Sequence, residues 1–289
     1  MTADTRAGGM ATRIAKLDDR ALVAISGRDA EKFLQGLVTC DVAGMRSGEA
    51  RFGALLSPQG KILFDFFLIR VAEGFACDIA ASAREDFMRR LGLYRLRAEV
   101  AIGPFDPQTG VYAAWNGNAA DREGIVVQDP RLPALGWRLY CRRPPDGLAG
   151  DYAAHRIASG MPAGGVDFAF GECFPHEALM DLNGGVSFVK GCYVGQEVVS
   201  RVRHRATARS RFVMVSAEAP LPPVNTEILA NGAPAGRMGS SAGGAGLALL
   251  RLDRAAEAAR AGSGLFAGAL PIRARIPAWA AFDWIDEGR

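Results

Sequence analysis

The 289-residue chain lacks the short frameworks by which metal and nucleotide sites usually announce themselves. Its five cysteines, Cys40, Cys77, Cys141, Cys173 and Cys192, form no CxxC pair, and no HExxH run occurs. A stable metal held by the protein alone is therefore not expected. An odd number of unpaired cysteines fits a reducing compartment with most thiols buried as small hydrophobes, and a cytoplasmic location is expected. No glycine-rich P-loop or dinucleotide fingerprint follows a strand-like run. No stretch reaches eighteen uninterrupted apolar residues, so no membrane partner is expected. The opening Met1-Thr2-Ala3-Asp4-Thr5-Arg6 carries an acid early and does not read as a signal peptide. Histidine is scarce, three in all, and His176 and His204 lie well away from Cys192 in sequence. A Cys–His couple could arise only through the fold.

What is present is ordinary in bulk. The apolar fraction of 49% and charged fraction of 22% suit a globular protein. A net charge of +3 says nothing by itself about nucleic acid. The length suffices for two or three small domains. Ala21–Ile25 reads as a strand, and Ser26 and Asp29 have capping-box spacing before a helix with Phe33, Leu34, Leu37 and Val38 on one side. Two β-favouring runs, 51–56 and 62–69, flank Ser57-Pro58-Gln59-Gly60-Lys61 as a hairpin. A second capping box, Ser82 and Glu85, opens a helix. Alternation over Tyr94–Val100 predicts a half-buried strand. Short strands follow near 111–115, 125–127 and 137–141, with helices at 152–157 and 196–202. From about residue 209 the short apolar runs and turn residues fit a small β-barrel.

Chemistry concentrates in Asn183–Glu197, where Gly184, Gly185, Gly191 and Gly195 surround Lys190, Cys192, Tyr193, Gln196 and Glu197. Such freedom suits a loop that approaches a ligand closely. Cys192 reads either as a functional thiol, its thiolate favoured by Lys190, or as a structural cysteine in a turn. Arg201, Arg203, His204, Arg205, Arg209 and Arg211 follow with no acid among them. They form an anion site or a solvated face; with only Phe212 nearby, direct nucleic-acid binding is not expected. Asp65 is a lone carboxylate in an apolar strand, facing either a ligand or solvent.

Lys190-Gly191-Cys192-Tyr193-Val194-Gly195-Gln196-Glu197 resembles the KGCYxGQE signature of the YgfZ/IBA57 family, folate-binding proteins related to the glycine-cleavage T-protein, an aminomethyltransferase. Residues 26–36, 57–61 and 156–162 are similar to the family's opening strand–helix, hairpin loop and arginine–glycine–proline segments. The resemblance implies an α+β, T-protein-like fold of three domains in a ring with a C-terminal β-barrel. Residues 1–208 would form the folate-binding α+β region of two intertwined subdomains, with a split-βαβ unit at about 50–115, and residues 209–289 the barrel. It implies tetrahydrofolate or a one-carbon derivative as cofactor, held by Lys190, Gly191, Cys192, Tyr193, Gly195, Gln196, Glu197, Asp65, Arg203 and Arg205. The implied role is assembly or repair of iron–sulfur ([4Fe-4S]) enzymes, tRNA-modifying ones included, with iron–sulfur proteins or cluster-assembly factors as partners. Two departures from the transferases stand out. Where those enzymes pair two aspartates, this chain has Phe64 and Asp65; where they have a pterin-contacting glutamate, it has Ala158. Aminomethyl transfer is therefore not expected, and a folate-dependent aminomethyl or one-carbon transferase stands as the alternative.

Overall fold

The computed structural model describes residues 11–146, 151–205 and 208–285. In chain order come β1 (Arg13–Lys16), β2 (Arg20–Ser26), α1 (Ala30–Gln35), β3 (Ala50–Leu56), β4 (Ile62–Val71), β5 (Gly74–Ala80), α2 (Arg84–Arg95) and β6 (Ala101–Pro104). Then follow β7 (Gly110–Trp115), β8 (Ile125–Gln128), β9 (Trp137–Cys141), α3 (Tyr152–Ala158) and α4 (Gln196–Arg205). The last elements are β10 (Ser210–Ser216), β11 (Glu227–Ala230), β12 (Ala233–Ala242), β13 (Ala245–Arg251), α5 (Leu252–Ala261), β14 (Leu265–Ala267) and β15 (Leu270–Arg275).

The β3–β4 hairpin turns where Gly60 takes φ +79°, and the Ser57 N–H closes the loop on the Lys61 carbonyl at 2.8 Å. Along β4 the side chains alternate as a strand requires. Phe64, Phe66 and Leu68 enter one core with α1 and α2, while Phe67 and Ile69 enter another on the opposite face. The hairpin belongs to an antiparallel sheet of order β3-β4-β5-β2-β6. Because β5 and β6 both run antiparallel to β2, they are parallel to each other, and β5–α2–β6 is a split βαβ around β2.

A second sheet has the order β1-β7-β9-β8. Its first strand precedes the five-stranded sheet and its other strands follow it, so the two sheets interleave along the chain. β10-β13-β12-β11-β14-β15 close a barrel. One core joins all three units: it holds Phe52 and Phe67 together with Val111, Trp115 and Tyr140 of the second sheet and Phe212, Met214 and Leu247 of the barrel. Phe52 and Phe67 also pack ring to ring, with centroids 5.5 Å apart.

Three local expectations are corrected. The alternation over Tyr94–Val100 is not a strand: α2 runs to Arg95 and Leu96 ends it with φ +46°. Phe87, Leu91 and Tyr94 fall at helical spacing on the packed face, and that burial outweighs the alternating pattern. Neither capping box forms, since the Asp29 carboxylate accepts the Glu99 N–H across the fold and Ala83, the residue that precedes α2, gives it no side-chain cap. The barrel also carries α5, closed by Gly262 in the left-handed region at φ +68°.

Candidate functional site

Asp65 does face inward. Its residue is 5% exposed, and Oδ2 accepts the Gly164 N–H at 3.0 Å. Gly164 permits this approach, because a Cβ there would lie 2.8 Å from Oδ1 and 2.5 Å from the Phe170 ring. Oδ1 is buried with no hydrogen-bond partner among the described residues. Asp65 lines a cavity of about 500 Å³ bounded by β1, the β3–β4 hairpin, β9 and α3. Phe64, by contrast, packs on Phe87 and Phe170 in the core on the other face of β4. Strand alternation therefore denies a residue at 64 access to the Asp65 face, and the phenylalanine removes nothing from the cavity. Ala158 is exposed and outside the cavity lining, whereas Arg156 from the same helix is part of it.

The cavity wall holds a buried polar cluster that sequence reasoning missed. Arg20 gives Nε to Asp78 Oδ1 at 2.7 Å, and Tyr140 gives its hydroxyl to Oδ2 at 3.0 Å. Arg131 holds Asp129 in a fork, Nε to Oδ1 at 3.0 Å and Nη2 to Oδ2 at 2.8 Å. The Tyr152 hydroxyl donates to Asp129 Oδ2 at 3.3 Å. Burial pushes the Asp129 carboxyl up, but Arg131 and Arg138 together outweigh it and the net shift is down. Arg138 stands between the two carboxylates and between two rings, its Cζ 4.6 Å from the Phe67 centroid and 5.1 Å from that of Tyr152. The signal was legible in kind: Arg138 in Trp-Arg-Leu-Tyr-Cys and Asp78 in Phe-Ala-Cys-Asp-Ile are charges inside apolar strands, as Asp65 is.

The signature loop lies elsewhere. Of the residues implied as folate contacts, only Asp65 lines this cavity. The loop is fastened to residues 38–40. The Thr39 hydroxyl donates to the Gly185 carbonyl at 2.6 Å, the Ser187 N–H reaches the Thr39 carbonyl at 2.9 Å, and Lys190 Nζ donates to the Val38 and Cys40 carbonyls at 2.7 Å each. Lys190 thus points inward as an anchor and does not serve Cys192, a correction that follows from its two short carbonyl bonds. Burial pulls its ammonium below the ordinary lysine pKa. Gly195 takes φ +81°, and a Cβ on it would meet the Ser57 carbonyl at 2.6 Å, so the start of α4 seats directly on the hairpin turn.

Between these anchors Gly191 and Cys192 are exposed, as is Val189 at 94%. Tyr193 is buried with its hydroxyl unpartnered among the described residues, and burial raises its pKa to about 12. Gln196 is half-buried, and Glu197 is exposed and paired with Arg201 at 2.5 Å. Arg203 stacks over Phe188 at 3.9 Å, which occupies one face of its guanidinium. Arg205 ends α4, and its side chain lies outside the described residues. No group of three His, Cys, Asp or Glu side chains able to hold a metal occurs among the described residues.

Two family descriptions match the chain: the GCVT N-terminal domain over residues 14–114 and the CAF17 C-terminal beta-barrel domain over residues 209–282. The chain is 33% identical over 282 residues to the human mitochondrial iron-sulfur cluster assembly factor IBA57, with 84% of this chain and 78% of that one covered. The chain belongs to the IBA57 family. The mouse IBA57 is 32% identical over 286 residues, with 86% of this chain and 80% of that protein covered. Aminomethyltransferase T of the glycine cleavage system from Bartonella henselae has the same fold, at TM-score 0.69 and 12% identity, covering 95% of this chain and 88% of that one. The T-protein-like α+β fold with its closed C-terminal barrel is thereby the fold of this IBA57 family member. These IBA57 relatives are named as mitochondrial, which overturns the cytoplasmic location expected from the cysteines.

Proposed function

We propose that this IBA57 family member binds tetrahydrofolate, or a one-carbon derivative of it, in the Asp65 cavity. It would serve the assembly or repair of iron–sulfur proteins, [4Fe-4S] enzymes that modify tRNA among them. The observation that carries the folate half is the unpartnered Asp65 Oδ1 in the wall of a cavity flanked by Phe52, Phe67 and Tyr152. A buried acceptor left open is costly unless a ligand donor fills it. A reduced pterin offers ring N–H donors on its edge and flat faces to the aromatic walls. The cluster half is supported by the family itself, whose members are named as iron-sulfur cluster assembly factors. Cys192, exposed on an anchored loop, would meet a client or cluster from outside while the ligand sits within.

Titration calorimetry of the purified chain with tetrahydrofolate tests the first half. Micromolar binding is expected, weakened about tenfold or more in Asp65→Asn, which keeps the shape and loses the charged acceptor. Binding unchanged by that substitution would place the ligand elsewhere. In a strain lacking the protein, [4Fe-4S] enzyme activity should fall and return with wild type but less with Cys192→Ala. Methylene-tetrahydrofolate formation from an aminomethyl-lipoyl carrier protein, dependent on Asp65, would instead establish the transferase reading.

A further inference from the structure

We infer that the outer face of α2 is a docking surface for an acidic partner protein. That partner sets an apolar side chain over Gly92 and carboxylates against Arg90, Arg95 and Arg97. This surface is separate from the folate cavity, because α2 packs on the core of Phe64, Phe66 and Leu68, whereas Phe67 on the other face of β4 lines the cavity.

α2 buries Phe87 and Leu91 against its own sheet, and the opposite side of such a helix is ordinarily polar. Here Leu93 is 67% exposed and Leu96, which caps the helix, is 88% exposed. Two large apolar groups three residues apart make a patch of the kind that associates. Leu96 is held there at φ +46°, a region that a leucine enters only at a cost.

Gly92 lies on the same open side, three residues after Arg89 and next to Leu93. Inside a helix, glycine is a poorer choice than alanine. A Cβ on Gly92 would meet no atom of the described residues within 4 Å, and its φ is not left-handed. Neither space nor backbone within this chain requires a glycine. The missing Cβ leaves a notch that lets a second molecule come close to the helix.

Charge selects that molecule. The acids around the patch are already matched: Glu85 with Arg84 at 3.0 Å, Asp86 with Arg89 at 2.6 Å and Glu99 with Arg28 at 2.7 Å. Arg90, Arg95 and Arg97 are exposed and form no ion pair among the described residues. Arg95 makes one long bond, Nη1 to the Val100 carbonyl at 3.4 Å. A second copy of this chain would bring the same three cations and repel. A fluid bilayer could take the leucines but has no use for a notch one residue wide. An acidic protein surface uses the leucines, the notch and the arginines together.

The test is photo-crosslinking in the source cells, with p-benzoylphenylalanine replacing Leu96 in the full chain and, as control, replacing exposed Val224. Adducts are digested and the attached segment is identified by mass spectrometry. One protein adduct is expected at 96 and not at 224, its attached segment rich in Asp and Glu. Gly92→Leu fills the notch and Arg90→Glu reverses a cation, and each should cut that adduct about fivefold or more. Gly92→Ala should also cut it while raising the unfolding midpoint by about 2 °C, an outcome that a purely structural glycine would not give. It carries the test if Gly92→Leu does not fold. Adducts only with a second copy or with lipid, an attached segment that is neutral or basic, or no adduct beyond the control would overturn the inference. So would an adduct that the Gly92 and Arg90 variants leave unchanged.

Discussion

The Asp65 cavity and the signature loop solve opposite problems. In the cavity wall, charged groups lie in the interior and most are hydrogen-bonded to a neighbour, so Asp65 Oδ1, buried with no hydrogen-bond partner among the described residues, stands out. In the loop, the side chains that look reactive in sequence are spent on holding it. Lys190 and Thr39 tie it to the residues 38–40, and what the anchors leave over is an exposed thiol. The interior cavity keeps an unmet bond, whereas the surface loop meets its own bonds and keeps one group in place. On the proposed function the two regions take different partners, a small molecule for one and a macromolecular surface for the other.

The largest effect is expected where the cavity wall is broken. Asp129→Ala leaves Arg131 and Arg138 buried beside each other without their shared carboxylate and should cost about 3–5 kcal/mol in denaturant unfolding. A loss below about 1 kcal/mol would mean that the wall is wetter than its burial implies. Next comes the loop anchor. Lys190→Met strips two buried carbonyls of their charged donor and should cost about 2–3 kcal/mol. It should also raise the rate at which a maleimide labels Cys192, the one exposed thiol of the five. An unchanged labelling rate would show that Thr39 and Ser187 hold the loop alone.

The smallest effect concerns His176, buried near Phe188 of the loop with both ring nitrogens unpartnered among the described residues. Burial lowers its pKa below 6.5; Asp181 works against that, while Arg211 and Arg203 add to it. The unfolded chain therefore takes up the proton first, and stability should fall as pH drops below about 6.5, by up to roughly 1.4 kcal/mol per unit. His176→Phe should flatten that slope. An identical pH profile in the variant would assign the slope to other groups.

Much of the fold was readable because its signals are local. The hairpin at Ser57–Lys61, the strand over Trp137–Cys141 and the helix over 196–202 follow from turn residues and periodicity, and the structure has each of them. Tyr94–Val100 misled because a period of two and a helical face share residues there, and only the packing of Phe87, Leu91 and Tyr94 decides between them. α5 was missed although Leu252, Ala255 and Ala258 form one buried side, because the turn residues around it suggested short strands throughout. Of the candidate site, Asp65 was visible as a charge in an apolar strand. Arg138, Asp78 and Asp129 carry a similar mark, but their meaning depends on strands far apart in the chain arriving at one cavity. The signature drew attention to Lys190 as a thiol's neighbour, and nothing in its spacing discloses that its ammonium turns the other way.

One bond set joins the Asp65 cavity to the barrel. Arg156, part of the cavity lining, gives Nη1 to Asp167 at 2.6 Å and Nη2 to the Ser240 hydroxyl of β12 at 2.8 Å, and Asp167 Oδ1 receives both the N–H and the hydroxyl of Ser240. For anyone building chimeras this sets a compatibility rule at the junction. A barrel transplanted from another homologue must bring a residue that can donate twice to Asp167 and accept once from Arg156. Without it, the graft leaves a buried carboxylate two donors short and strips Arg156 Nη2 of its acceptor, so a junction chosen only by sequence boundary would disturb the cavity wall at a distance from the cut.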